Sequence, residues 1–364
     1  MYHFFKKRLL LRIIEIMGNL KSFNIKMYYR RLIKVNTKTY KPPVLNSKQK
    51  ADIKGYYSKF GFQNINVKHH QYYAGFNGIF SVRYIPEDIF HPYIEPLLNN
   101  NRQWPALLDK NLLDRIFIGV KQPNSIVNNI NGFYYHDGVQ INQSKAIEVC
   151  LSHKFLAIKP SIDSGGGKGV VGFRLTNKST DYKDLSLKEL FDLFSKDFVV
   201  QEVIVQHPTM ATLNSSSVNT IRLLTYLTEG KVHIMASVIR IGGSNSFTDS
   251  ASMGGISCAI NKDGSLKEIG YYKTGGKRYK TDSGVKLKGF IIPSYKRTLE
   301  LIERIHFLIP YFRIVAWDVA IGENGEPILI EYNTYKMGLS SLQIAYGPFE
   351  DKYVDELLGM RKNR

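Results

Sequence analysis

The sequence predicts an α+β protein built from more than one subdomain. Its 364 residues are enough for two or three subdomains with a sizeable core, and 43% of them are hydrophobic, which is typical of a globular chain. After Trp104, helical segments alternate with apolar strand segments, and beyond residue 200 strands dominate. We therefore expect an α/β region after Trp104, preceded by a small N-terminal region and a basic helix.

Composition narrows the class of protein. No apolar run approaches the ~18–20 residues that a membrane span needs, and no secretory signal is visible. The only cysteines, Cys150 and Cys258, are too few for a disulfide framework and too far apart along the chain for a metal knuckle. We therefore expect a protein of a reducing compartment, the cytoplasm.

The first 41 residues are strongly basic. They contain eleven Lys or Arg and one acid, Glu15, and so carry +10 of the chain's +19 formal charge. Apolar residues recur there at helical spacing: Tyr2, Phe5, Leu9, Ile13, Ile16 and Leu20. Such a helix can lie on the anionic inner face of a membrane, or it can pack on its own domain with its charges solvated. Nucleic acid is the least favoured partner, because no recognised binding motif accompanies the charge.

Changes in pattern divide the chain into five parts. Residues 1–41 are a basic amphipathic helix, and residues 47–103 are a small aromatic-rich unit, joined by a proline-containing linker from Thr37 to Asn46. Residues 104–200 are a subdomain with a glycine-rich loop, residues 201–350 a subdomain with a metal site, and residues 351–364 a tail. Within the first subdomain, Leu107–Phe117 is predicted to be one helix and Asp137-Gly138 the turn of a hairpin.

The stretch "FLAIKPSIDSGGGKGVVGFRL" predicts a strand, a glycine-rich loop and a second strand. Consecutive glycines permit positive φ and let backbone amides converge on phosphate oxygens, while neighbouring lysines add positive charge. It is not a Walker A loop, because Lys168 is followed by Gly169 and no helix follows. We interpret it as a flap over phosphates; the alternative is a flexible hairpin without a ligand.

Two further patterns favour a nucleotide. In "AWDVAIGENGEPILIEYN", Asp318 and Glu331 fall on adjacent strands of a predicted hairpin, and Asn333 shares the face of Glu331. Two carboxylates and an amide oxygen suit Mg²⁺; the alternative is a pair of edge-strand acids that face water. In "QEVI", a chain that crosses between subdomains offers backbone groups to an adenine, and Glu202 can accept hydrogen bonds from a ribose.

The order of these motifs resembles the ATP-grasp superfamily from Trp104 to about Gly347. The motifs are "DK" (Asp109-Lys110), "IKP", "GGGKG", "QEVI", "IRI", "WD" and "IEYN". The stretches "YIPEDIF", "VNTIR" and "MGGI" are similar to the sugar-transfer-associated group of that superfamily, which is related to glutamate-ligase-like proteins. The resemblance implies an ATP-grasp fold, in which two α/β subdomains clamp ATP.

The resemblance also implies roles for individual residues. The residues matched to nucleotide binding are Lys110, Lys159, Ser164, Gly165, Gly166, Gly167, Lys168, Gly169, Gln201, Glu202 and Val203. The residues matched to metal binding, for two Mg²⁺, are Asp318, Glu331 and Asn333. Arg240 matches the arginine that steadies the transferring phosphoryl and acyl groups. Arg222, with Asn219, is a second candidate that faces phosphate or an acidic substrate, and either arginine could instead be a surface strand residue.

The activity implied by the resemblance is that of an ATP- and Mg²⁺-dependent carboxylate–amine ligase acting in surface polysaccharide biosynthesis, such as capsule, O-antigen or exopolysaccharide. Its substrates would be a carboxylate, for example a uronic acid or an amino acid joined to a sugar, and an amine or similar acceptor. One alternative is a phosphotransferase with the same fold that acts on a sugar hydroxyl. The other is a non-catalytic basic adaptor that docks on a membrane or a glycosyltransferase.

Overall fold

The computed structural model describes residues 2–162, 169–176, 179–244, 246–249, 254–273, 276–335 and 337–361, and for residues 2–17 and 19 it describes the backbone alone. The chain forms two compact units. The first combines Met1–Asn101 with Tyr335–Arg364, and the second is Arg102–Thr334. Within the described ranges, no helix combines the length and the apolar character needed to cross a membrane.

The helices and strands of the described residues are numbered along the chain. Helices α1 to α12 span Tyr2–Tyr40, Ser47–Ser58, Lys68–Asn77, Glu87–Ile89, Glu95–Leu98, Leu113–Ile116, Gln143–Leu151, Leu187–Phe194, Pro208–Leu213, Tyr295–His306, Leu339–Tyr346 and Asp351–Gly359. Short π or 3₁₀ segments span Phe90–Ile94, Pro105–Leu108 and Lys110–Leu112. Strands β1 to β14 span Ser125–Ile130, Phe133–His136, Val139–Ile141, Phe155–Pro160, Val171–Thr176, Ser179–Thr180, Phe198–Glu202, Thr220–Thr228, Lys231–Ile241, Ile256–Ile260, Leu266–Tyr272, Lys277–Arg278, Ile314–Ile321 and Pro327–Asn333.

The second unit contains two antiparallel sheets, each of seven strands in the part of the chain that is described. Their strand orders are β3-β2-β1-β7-β4-β5-β6 and β12-β11-β10-β9-β8-β13-β14. Every residue of β13 is buried, as its sequence, apolar except at Asp318, favours for a strand that has β8 on one side and β14 on the other. The α+β class predicted from the sequence is therefore confirmed.

Helices cover the sheets through one apolar stripe each. In α8, Leu187, Leu190 and Phe191 are buried against the first sheet, and Ser186 and Glu189 form a capping box that fixes where the helix begins. In α10, Ile302 and Ile305 join the core of the second sheet. These helices fix the curvature and position of the strands that carry the site.

The predicted hairpins are present. Asp137 and Gly138 both have positive φ between β2 and β3, as a two-residue hairpin turn requires. The strands β13 and β14 pair on either side of the "GENGE" turn.

The predicted single helix at Leu107–Phe117 is wrong. Asp109 is extended and its side chain caps the next turn by accepting from the Asn111 amide, so the segment breaks into two 3₁₀ turns and α6.

The first unit has a core rich in aromatic side chains. Tyr57 and Tyr84 are fully buried, and the Tyr57 hydroxyl donates to the Tyr84 carbonyl at 2.6 Å. The Gln343 side chain accepts from the Ile85 amide at 2.7 Å and donates to the Ile85 carbonyl at 2.9 Å. These bonds join the C-terminal segment of the chain to residues far earlier in sequence.

Two segments differ from the organisation predicted by the sequence. Helix α1 continues through Tyr40, so the first four residues of the predicted linker are helical. The predicted tail, residues 351–364, begins with α12, which buries side chains at helical spacing: Tyr353, Val354, Leu357 and Leu358. That spacing is an amphipathic signal, and it makes residues 351–359 part of the folded first unit.

Candidate functional site

A cavity of about 190 Å³ lies among strands of both sheets in the second unit. The residues that line it are Lys110, Pro123, Ala157, Lys159, Val170, Gln201, Glu202, Val203, Ile204, Val218, Thr220, Arg222, Arg240, Phe247, Thr248, Asp249, Asp318, Ile330 and Glu331. This lining combines apolar side chains with cations and carboxylates. That combination is typical of a site for a small charged ligand with an apolar moiety.

Two lysines enter the cavity from the side of the first sheet. Lys159 lies on β4 and is 9% exposed, and Lys110 precedes α6, where its backbone amide donates to the Ser161 carbonyl at 3.0 Å. Burial lowers the pKa of Lys159 to about 8. The carboxylate of Glu331 opposes this shift, whereas the charge of Lys110 adds to it. Two neighbouring positive charges of this kind favour the binding of an anionic ligand.

The Lys159 shift predicts a pH dependence of stability. In the folded protein the pKa of Lys159, about 8, lies below its ordinary value of 10.5. At pH values between these two, Lys159 is protonated in the unfolded chain but has lost its proton in the folded protein. The free energy of unfolding contributed by Lys159 therefore rises with pH across this window, by about 3 kcal/mol. We expect Lys159→Met to remove this rise, measured as the difference between wild-type and variant urea unfolding at pH 7 and pH 10. Parallel pH profiles for the two proteins would contradict the prediction.

The second sheet contributes a row of charges in register. Asp318 on β13 is paired with Arg222 on β8 and with Glu331 on β14. The Arg222 guanidinium donates two hydrogen bonds to the Asp318 carboxylate, from Nε to Oδ1 at 2.7 Å and from Nη2 to Oδ2. Arg240 Nη1 lies 3.4 Å from Oδ2 of the same carboxylate. Burial would raise the pKa of Asp318, but the two guanidinium groups hold it below its ordinary value. Asp318 is therefore an ionised carboxylate held by two arginines.

Glu331 and Asn333 share one face of β14, as the period of two predicted. Asn333 Nδ2 lies 3.4 Å from Glu331 Oε1, and Lys110 Nζ lies 3.5 Å from Glu331 Oε2. Among the residues that are described, no three His, Cys, Asp or Glu side chains cluster as a metal site by themselves. Mg²⁺ is commonly bound by only one or two carboxylates plus substrate phosphates, so Glu331, Asp318 and the Asn333 amide fit this ion as a donor set.

The end of β7 also lines the cavity. Gln201 donates from its side-chain amide to Ser125 Oγ at 3.1 Å, which fixes the strand end. The Glu202 carboxylate accepts from Asn124 Nδ2 at 2.7 Å and lies 3.2 Å from His153 Nδ1. Gln201, Glu202 and Val203, which the sequence assigns to an adenosine, all line the cavity.

The glycine-rich loop joins β4 to β5, which pair in antiparallel fashion, so the predicted strand–loop–strand arrangement is confirmed. Gly169 has φ +75°, a conformation that strongly favours glycine, and a Cβ there would lie 3.1 Å from Pro160. The other loop residues assigned to phosphate lie outside the described residues: Ser164, Gly165, Gly166, Gly167 and Lys168.

Sequence reasoning missed Asp249 and Thr220. Arg240 Nη2 lies 3.1 Å from Asp249 Oδ1, and the Thr220 hydroxyl donates to the other carboxylate oxygen. Burial raises the pKa of Asp249, although Arg240 opposes the shift. Arg240 is thus held between two carboxylates, those of Asp249 and Asp318. Thr220 precedes Arg222 by two positions on the same strand face, a signal that was available, whereas Asp249 lies in a loop with no periodicity.

The structure brings most of the predicted site together. The predicted residues that line the cavity are Lys110, Lys159, Gln201, Glu202, Val203, Arg222, Arg240, Asp318 and Glu331. Asn219 is different. It is fully buried, and its Nδ2 donates to the Met210 carbonyl at 2.8 Å and to the Asn214 carbonyl at 2.9 Å. Asn219 therefore stabilises the chain before β8, and its assignment beside Arg222 as a ligand-facing residue is wrong.

A family model described as sugar-transfer associated ATP-grasp matches residues 91–351. The chain therefore belongs to this family of the ATP-grasp superfamily. The family resemblance inferred from the motifs is confirmed. A comparison with curated proteins finds no significant match.

Solved structures of ATP-grasp enzymes are similar to the chain at low identity. The ATP-grasp ligase PsnB complexed with minimal precursor is 12% identical with a TM-score of 0.38, over 72% of this chain and 63% of that one. The D-alanine–D-alanine ligase from Bacillus anthracis is 16% identical with a TM-score of 0.37, over 70% and 66%. The biotin carboxylase from Campylobacter jejuni is 12% identical with a TM-score of 0.41, over 71% and 46%. The chain thus spans less than two thirds of the length of each.

Proposed function

We propose that this protein is an ATP- and Mg²⁺-dependent ligase that activates a substrate carboxylate and transfers the acyl group to an amine or similar nucleophile. The observation that carries the proposal is the charge arrangement of one cavity. Lys110, Lys159 and Arg240 line the same cavity as a carboxylate pair, Asp318 and Glu331, and the end of β7 contributes Gln201 and Glu202 to that lining. A triphosphate linked to Mg²⁺ complements both signs of charge at once.

In this proposal the chain's own groups bind and orient the nucleotide. Lys159 and Lys110 neutralise phosphate oxygens, and Glu202, exposed over 42% of its side chain, accepts from ribose hydroxyls. Glu331, Asp318 and Asn333 would hold Mg²⁺, for which two ions are expected, and the bound metal would supply positive charge that stabilises the phosphate groups. The Asp249 carboxylate fixes the direction of the Arg240 guanidinium toward the transferring group.

The proposed chemistry needs no protein nucleophile. An oxygen of the substrate carboxylate attacks the γ-phosphorus of ATP, the bond to the β–γ bridging oxygen breaks, and ADP leaves. The product is an acylphosphate. The amine nitrogen then attacks the acyl carbon, the carbon–oxygen bond to phosphate breaks, and inorganic phosphate and the amine proton are released. Arg240 and the lysines stabilise the negative charge that develops on the phosphoryl oxygens.

The state of the cavity carboxylates favours a ligase over a phosphotransferase. A sugar hydroxyl needs a base to remove its proton, whereas a substrate carboxylate attacks as it is. In the described lining of the cavity, each of the four carboxylates lies within 3.5 Å of a basic side chain. The pairs are Glu202 with His153, Asp249 with Arg240, Asp318 with Arg222, and Glu331 with Lys110. None of these four carboxylates can therefore act as a general base without a basic side chain competing with the substrate proton for it.

The family description supports a role in sugar-polymer metabolism. We propose a carboxylate borne by a uronic acid, or by an amino acid joined to a sugar, and a reaction in capsule, O-antigen or exopolysaccharide biosynthesis. The two cysteines are buried and unpaired, which agrees with a cytoplasmic location. The proposed acyl acceptor is an amine.

Hydroxylamine trapping tests the proposal. Full-length protein is incubated with ATP, Mg²⁺, hydroxylamine and a panel of uronic acids and amino acids. We expect one carboxylate to yield a hydroxamate together with equal ADP, because hydroxylamine intercepts the acylphosphate. A phosphorylated sugar without hydroxamate would identify the phosphotransferase instead. No nucleotide turnover and no nucleotide binding would favour the basic adaptor. The surface variant Lys296→Met, at a side chain 91% exposed, is the matched control and should retain full activity.

A further inference from the structure

Between Gly18 and Tyr40, the outward face of α1 carries basic and apolar side chains and no acid. From Gly18 to Tyr40 this helix turns one face inward, where Tyr29 and Ile33 are buried and the Tyr29 ring stacks on His91 at 4.4 Å. Arg30 on the flank donates to Asp88 at 2.8 Å. These contacts fix the rotation of the helix on the first unit. The opposite face is therefore presented outward by the packing of the folded unit.

Large apolar side chains on that face are exposed to water. They are Leu20, Phe23, Tyr28, Leu32 and Val35, each exposed over 36–60% of its surface. They recur at three- to five-residue intervals over the half of the helix that faces outward, and at a rise of about 1.5 Å per residue they extend along about 23 Å of it. Apolar side chains exposed over this length on the outside of a folded unit indicate an interaction surface.

Basic side chains alternate with the apolar ones. Lys21, Arg31, Lys34 and Lys38 are exposed on the same face. The sequence between Glu15 and Asp52 contains no acidic residue at all. The backbone of the helix continues to Tyr2, through sequence that adds Lys6, Lys7, Arg8 and Arg12. The positive charge of the face is therefore not neutralised along the helix.

We propose that this face of α1, residues 20–38, docks on an anionic lipid surface. Lipid headgroups attract the basic side chains, and the boundary with the acyl chains accepts the apolar ones, so one environment satisfies both. A nucleic acid would satisfy only the charges and would leave Phe23 and Val35 in water. A protein groove favours apolar anchors grouped together, whereas here each of Leu20, Leu32 and Val35 is next to a basic residue. The proposal is independent of the ligase chemistry.

Vesicle sedimentation of the full-length protein tests the proposal. Phosphatidylcholine vesicles with and without phosphatidylglycerol are compared at low and high salt. We expect binding only to the anionic vesicles, weakened by salt. Lys34→Glu/Lys38→Glu should weaken binding about thirtyfold or more, because each basic residue near the surface contributes about fivefold. Phe23→Ser/Val35→Ser should weaken it about tenfold at both salt concentrations, because two apolar side chains no longer enter the interface.

A charge-matched control separates the helix from the protein's overall charge. Lys288→Glu/Lys296→Glu makes the same charge change at side chains that are 74% and 91% exposed in the second unit, and should bind like wild type. Thermal unfolding of all variants checks their folding. Equal binding to neutral and anionic vesicles, or loss in the control as large as in the helix variant, would overturn the proposal. Unchanged vesicle binding by Phe23→Ser/Val35→Ser would also overturn the proposal. The apolar side chains would then serve another purpose: the charges would bind a soluble polyanion, or the face would hold a second copy of the chain, in which case the variant would lose a dimer.

Discussion

Replacing Glu331 by glutamine is expected to abolish the Mg²⁺-dependent binding of an ATP analogue while leaving the protein folded. Glutamine keeps the size and shape of the side chain but removes the charge that attracts a divalent cation. The side chain is 23% exposed and its one described ion pair, with Lys110, is 3.5 Å long, so the fold depends on it little. Asp318, the other carboxylate of the proposed metal site, is held by two arginines, which makes Glu331 the primary metal ligand of the proposal.

Thermal unfolding with a non-hydrolysable ATP analogue measures this. Ligand binding to the folded state raises the melting temperature by mass action, and at about 100 times Kd the stabilisation is about 2.7 kcal/mol. We expect wild type to show this rise only with Mg²⁺ present, and Glu331→Gln to show none. Glu323→Gln, an exposed acid in the turn of the same hairpin, is the matched control and should behave as wild type.

Each alternative result has a distinct meaning. An unchanged Mg²⁺-dependent rise in Glu331→Gln would remove this residue from the metal site. The absence of any rise in wild type would contradict the nucleotide site itself, and the non-catalytic basic adaptor would then become the better explanation.

The part of the site that sequence predicted is the part encoded locally. The β13–β14 hairpin follows from two apolar strands and a polar turn, and the period of two then sets Glu331 and Asn333 on one face. The motif order extended this to Lys110 and Lys159 through family resemblance. The ion pair between Arg222 and Asp318 was not predictable in the same way, because the two residues are 96 positions apart along the chain. They meet only because β8 lies beside β13 in the sheet.

A non-local contact explains one further difference in the fold, and a local side-chain cap explains another. The C-terminal segment joins the first unit through the two hydrogen bonds between Gln343 and Ile85, which are 258 residues apart, and no local pattern indicates that pairing. At Leu107–Phe117 the apolar spacing suits a helix, but Asp109 caps its own turn and interrupts it. Local side-chain chemistry thus overrode the hydrophobic period there.

Replacing Arg222 by methionine is expected to lower the free energy of unfolding by about 3–5 kcal/mol, because the buried Asp318 carboxylate then loses its main partner. Arg240 remains 3.4 Å away but already binds Asp249 and cannot supply the lost two-point contact. Urea unfolding of wild type and variant measures the difference. Arg297→Met, an exposed arginine on α10, is the control and should change stability by less than about 0.5 kcal/mol.

The double variant Arg222→Met/Asp318→Leu distinguishes two contributions to the free energy of unfolding: the net contribution of the ion pair, and the loss caused by leaving one buried charge unpaired. It removes both charges, so we expect it to recover most of the stability lost in Arg222→Met, since a buried ion pair replaced by apolar side chains is often neutral. Arg240 keeps Asp249 as its partner in this variant, so no new unpaired cation is created. A double variant no more stable than Arg222→Met would contradict this explanation. Recovery of stability without recovery of nucleotide binding would mean that the pair is retained for the site and contributes little to the stability of the fold.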